Sequence, residues 1–145
     1  MGKSVLLLLP LLAALSGCGV LEGFDPELNA VGKQVVSDWK QRPETAAAQF
    51  EYTHGLDADD RLVLQVMLEA DRISDQVVDE FVQIARRDCW RGTWKSCSAR
   101  YVVYSTDDPP YGDRRDSGKP VREGDVDLPP DLELVFGPRP ERPKS

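Results

Sequence analysis

Residues 74–104, SDQVVDEFVQIARRDCWRGTWKSCSARYVVY, hold the reading on which the fold turns. Ser74 is a helix cap, because a side-chain oxygen just before a helix accepts from backbone amides left without an intrahelical partner. Val77, Val78, Phe81, Val82 and Ala85 follow at helical spacing and make one broad apolar face, while Asp75, Asp79 and Glu80 lie near the positive end of the helix dipole. Tyr101, Val102, Val103 and Tyr104 are then rich in β-formers and predict a strand over residues 98–105. A helix leading straight into a strand is the second half of a crossover, right-handed if it joins parallel strands.

Upstream, Ala48, Phe50 and Tyr52 alternate with Gln49, Glu51 and Thr53 over residues 47–54, as in a half-buried strand. After turn residues 55–60, Leu62, Leu64, Val66 and Leu68 alternate with Val63, Gln65, Met67 and Glu69, which suggests that the two segments form a hairpin. Leu62, Val66 and Ala70 also fit a helical stripe, and the strand is the reading preferred here. Earlier still, Asp25 caps a helix that has Pro26 in its first position and Leu28, Val31, Val35 and Trp39 on one face. That helix stops near Gln41, because Pro43 disfavours helix in the residue before it.

Downstream, residues 107–130 are crowded with Pro, Gly and charge and read as a long surface loop with nothing to pack as a core. Leu132, Leu134 and Phe136 alternate with Glu133 and Val135, predicting a short edge strand. A Pro-rich basic tail over 138–145 is expected to be disordered. The order α-β-β-α-β-β describes one small α+β domain over 25–137, a two-layer sandwich of about four strands with both helices on one face.

Composition agrees with a single domain of this kind: 145 residues, 41% hydrophobic and 30% charged. The formal net charge of -7 argues against nucleic acid as a partner, since that binding rests on basic side chains displacing counterions. The N-terminus carries the plainest functional signal. Lys3 is a short positive region, Val5 to Leu15 is an apolar run too short to span a bilayer, and Leu15-Ser16-Gly17-Cys18 closes it. An aliphatic residue, two small residues and a cysteine resemble the bacterial lipobox, in which the thiol becomes a lipidated thioether and the small residues admit the peptide to the processing protease.

On this reading residues 1–17 are a signal peptide, Cys18 is the lipidation site with palmitate-type acyl chains, and 18–24 form a tether. Myristoylation at Gly2 fails, because its motif wants Ser or Thr where Leu6 stands. Gly19 after the cysteine, instead of the Asp that retains such proteins at the inner membrane, implies the outer membrane in a diderm host and the outer face of the plasma membrane in a monoderm one. The lipobox, the strand-helix-strand centre and the Leu-Glu-Leu-Val-Phe-Gly-Pro-Arg-Pro stretch at 132–140 together resemble small membrane lipoproteins of actinobacteria. That resemblance implies a location in the cell envelope and carries no activity with it.

Lipidation of Cys18 leaves Cys89 and Cys97, an even remainder expected to form a disulfide in an oxidising compartment. A metal site would need more thiols or imidazoles than the lone His54 offers, and the spacing is not that of a redox pair. No metal or cofactor is expected. His54 lacks the glycine-framed serine of a hydrolase and reads as a turn residue. Asp57, Asp59 and Asp60 depart from a calcium loop at once, because Arg61 and Leu62 stand where a ligand and a glycine belong.

Arg86, Arg87, Trp90, Arg91, Trp94, Lys95 and Arg100 form a basic and aromatic island in an acidic chain, with Asp88 as its one acid. It reads as a docking patch for lipid headgroups, an envelope polymer or an acidic protein. The competing reading is structural: Arg86 and Arg87 complement the negative helix end, and a tryptophan covers the core beside the disulfide. The functional expectation is a membrane-tethered, non-enzymatic binding or accessory domain. The alternatives are an immunity or inhibitor lipoprotein that neutralises a toxin or hydrolase and, further off, an enzyme built on His54 and the acidic turn.

Overall fold

The computed structural model describes residues 25–55, 58–110 and 118–145. Cys18, the signal peptide and the tether, together with Asp57 of the acidic turn, lie outside them. Helix α1 spans Pro26–Lys40, strand β1 Thr45–Gly55 and strand β2 Ala58–Leu68. A single 3-10 turn, Ala70–Arg72, leads to helix α2, Asp75–Gly92. Strands β3, Ala99–Ser105, and β4, Arg122–Asp125, precede a five-residue helix α3, Leu132–Phe136.

The caps fall where the sequence puts them. The Asp25 carboxylate accepts from the amides of Glu27 and Leu28, and the Ser74 hydroxyl accepts from Val77 N–H. The four strands form one mixed sheet in the order β1-β2-β3-β4. β1 and β2 are an antiparallel hairpin with Phe50 opposite Leu64, and β2 and β3 run parallel with Leu64 opposite Tyr101, joined by α2. The 61–70 segment is therefore a strand as far as Leu68, with Ala70 already in the 3-10 turn: Leu62, Leu64, Val66 and Leu68 are all buried and the residues between them are not.

Both long helices cover the same face of this sheet. Leu28, Val31, Val35 and Trp39 from α1 and Val78, Phe81, Ala85 and Cys89 from α2 meet the even-numbered residues of β2 in one core. Trp39 is fully buried and its indole N–H donates to Phe81 O at 2.9 Å, so the largest core side chain also satisfies its one polar atom. Gly32 lets α1 approach β1, since a Cβ there would stand 2.5 Å from the Phe50 ring.

Two expectations are corrected. Residues 132–136 are a helix and not an edge strand. Their amides reach back to Pro129, Pro130 and Asp131 carbonyls, Leu132 is buried, and Gly137 closes the helix at φ 81° with its N–H on Glu133 O. Five residues are too few for alternation and helical spacing to be told apart, and the Pro-Pro-Asp before them and the Gly after them are helix boundary residues.

The fourth strand lies instead at Arg122–Asp125, inside the stretch read as surface loop. No apolar residue announces it, because it holds the sheet by backbone hydrogen bonds to β3 and by outward ion pairs: Glu123 with Arg100 at 2.6 Å and Asp125 with Arg61 at 2.5 Å. Nor is the stretch free of core: Val126 is buried, its N–H on Ala99 O, and Leu128 packs on the same cluster.

Candidate binding surface

The island residues sit at and beyond the last turns of α2, and the structure sorts them into three places. Arg100 leaves the group altogether. It lies on β3 between the inward-facing Ala99 and Tyr101, so it points to the outer face of the sheet, where it pairs with Glu123. Arg86 and Arg87 belong to the helix layer. Arg87 bridges the helices, donating to Asp38 of α1 at 2.6 Å and to Asp88 at 2.9 Å, while Arg86 Nε is buried without a hydrogen-bond partner among the described residues.

Trp90, Arg91, Trp94 and Lys95 remain together, and they are met by the C-terminal segment. Trp90 is 6% exposed and its indole N–H donates to Gly137 O at 2.7 Å. The Arg139 guanidinium lies over the Trp90 ring, 5.1 Å from its centroid, and donates to the carbonyls of Thr93 and Lys95. Arg142 lies over Trp94 at 5.3 Å, with Lys95 also 5.5 Å from that ring. Arg91 stands over Phe136 at 5.9 Å.

Cations over aromatic faces are attracted by the ring quadrupole, by about 0.5–1 kcal/mol at exposed sites. The segment read as a disordered tail thus interleaves its arginines with the tryptophans. Arg139 and Arg142 were not singled out from sequence, although their spacing of three residues beside the Trp90–Trp94 spacing of four was available.

This end of the molecule is pinned to both helices. Cys89 and Cys97 form a disulfide with Cα atoms 5.7 Å apart, so the loop between α2 and β3 is closed at its base. Thr93, buried at the α2 terminus, donates to the Glu27 carboxylate at 2.7 Å, and Lys95 Nζ lies 3.4 Å from the Asp25 carboxylate. The first turn of α1 is therefore tied to the loop that carries Trp94.

A concavity of about 430 Å³ runs between α1 and α2 and is lined by Gln34, Asp38, Arg87, Asp88 and Arg91 among others. Asp88 is 6% exposed; one carboxylate oxygen accepts from Arg87 and the other has no partner among the described residues. Burial pushes its pKa up from 3.8 to about 6, against the opposing pull of Arg87. The sequence held a signal for this, since position 88 lies three residues after Ala85 and seven after Phe81 on the apolar face of α2.

His54 lies at the end of β1, as a hairpin-end residue, with Nδ1 2.8 Å from an Asp60 carboxylate oxygen. Hydrogen bonds from Tyr52 and then from His54 hold the Asp60 carboxyl below its ordinary value. Among the described residues no group of three or more His, Cys, Asp or Glu side chains is arranged to hold a metal ion.

No family model, no curated protein and no solved structure matches this chain.

Proposed function

We propose that the chain is an exported lipoprotein held on the extracytoplasmic side of a bacterial membrane by acyl chains on Cys18, and that its α+β domain serves there as a binding or accessory module and not as an enzyme. The observation that carries this reading is the Cys89–Cys97 disulfide. Of three cysteines it leaves one over, and that one ends an apolar leader in Leu15-Ser16-Gly17-Cys18. Disulfides persist in oxidising compartments, which is where a leader of this kind would deliver the chain. A binding role draws support from the aromatic and basic side chains gathered at the end of α2, the composition typical of interface anchors.

The test is metabolic labelling with radioactive palmitate in a bacterial host, together with intact mass of the purified product. The wild type should take up label and show a mass beginning at an acylated Cys18, while Cys18→Ser should take up none. Equal labelling of the variant, or a wild-type product that is never acylated, would overturn the proposal.

A further inference from the structure

We propose that the end of the domain bearing Trp94, Lys95, Arg139 and Arg142 is itself a membrane contact, seating the domain on the anionic headgroups of the bilayer that holds its anchor. This deepens the anchoring reading and rests on it. Three observations meet at this end.

The first is the leash. Residues 19–24 separate Cys18 from Asp25, which limits the reach of the anchor to about 25 Å of fully extended chain. Asp25 caps α1 and pairs with Lys95, so the leash leaves the domain beside Trp94. A domain held that closely presents to the lipid the end from which its leash departs.

The second is chemistry. The chain as a whole carries a net charge of -7 and is repelled by an anionic surface. At this end, however, with Lys95 and Asp25 paired to each other, Arg91, Arg139, Arg142 and, two residues on, Lys144 outnumber the exposed acids Asp131, Glu133 and Glu141 by four to three. Basic residues near an anionic leaflet each contribute attraction, and tryptophan favours the interface because its ring is apolar and its N–H is polar.

The third is exposed aliphatic surface on the same stretch of chain. Leu134 is 90% exposed and Val135 is 69% exposed on α3, whose opposite side is held down by buried Leu132 and by Phe136 under Arg91. Two such side chains standing out directly before a basic and aromatic segment are the composition of an interfacial anchor.

The experiment uses the acylated mature protein reconstituted into phosphatidylcholine vesicles with or without phosphatidylglycerol, part of the lipid being brominated on its acyl chains. Trp94 emission is isolated by difference from Trp94→Phe. Brominated lipid should quench Trp94 in the anionic vesicles and not in phosphatidylcholine alone. Arg139→Glu/Arg142→Glu should lose that quenching while still floating with the vesicles. Leu134→Ser/Val135→Ser, which alters exposed side chains only, should weaken it without changing the circular dichroism spectrum.

An anchored protein whose Trp94 is equally unquenched in both lipids overturns the proposal; that is also the outcome if the patch serves an acidic soluble protein. If mass shows no acyl chain, the anchoring reading fails by itself. The same unacylated chain is then sedimented with the anionic vesicles. Salt-sensitive binding weakened about fivefold per basic residue removed sustains the contact, and absence of binding ends it.

Discussion

Asp88 sets the acid response of the helix layer. Its folded pKa of about 6 stands above the ordinary 3.8, because burial penalises the carboxylate more than Arg87 stabilises it and Asp38 adds a like charge nearby. The folded state therefore binds this proton more tightly than the unfolded chain does. The contribution to stability is fully present below 3.8 and is lost as pH rises through about 6. Urea unfolding of wild type and Asp88→Asn across that window should show the variant gaining on the wild type as pH rises; a flat difference would mean that the carboxyl is not buried in this way. Arg87 is the partner that limits the loss. Arg87→Met should leave Asp88 protonated to higher pH, visible as a further upward move of its carboxyl titration by NMR.

Between elements, α1 comes close to β1 at Gly32. Alanine would gain up to about 1 kcal/mol in helix propensity. Its methyl would nevertheless stand 2.5 Å from the Phe50 ring, against the base of a planar side chain and not the end of a flexible one. Overpacking of this kind costs about 1–3 kcal/mol, so Gly32→Ala should lower the thermal midpoint, and adding Phe50→Leu should restore part of it. The link between α2 and β3 is a second point of control. Replacing Cys89 and Cys97 by serine removes the closure of an eight-residue separation and should cost about 2–3 kcal/mol in chemical unfolding.

These elements also show where the sequence was legible. α1, α2 and the hairpin could be read because each buries one face over eleven or more residues, long enough for a period to declare itself. β4 could not be read, since Arg-Glu-Gly-Asp pairs through backbone and ions, and a strand at the margin of a sheet needs no apolar face. α3 is decided by its flanking prolines and glycine and not by its own alternation. In the candidate surface, the disulfide followed from counting cysteines. The island's breakup follows from strand alternation at Arg100, a signal present in the sequence but outweighed by the cluster of charges around it.

At the scale of the whole molecule, the C-terminal segment completes the surface at the end of α2. Ending the chain after Gly137 should remove the arginines over Trp90 and Trp94, shift tryptophan emission to longer wavelength and lower stability by about 1–2 kcal/mol, as expected for two cation–aromatic contacts. An unchanged spectrum would show that the segment does not lie there in solution. The order of strands in the sheet also sets the timing of folding. β1 and β2 are neighbours in sequence as well as in the sheet, but β3 can join β2 only across the whole length of α2, and such distant pairings are the slow steps of folding. A sulfur bridge from the last turns of α2 to a point two residues before β3 shortens the loop that has to close before the latecomer docks. Oxidised chains should therefore refold faster than reduced ones, and spend less time as prey for proteases with the central strand uncovered.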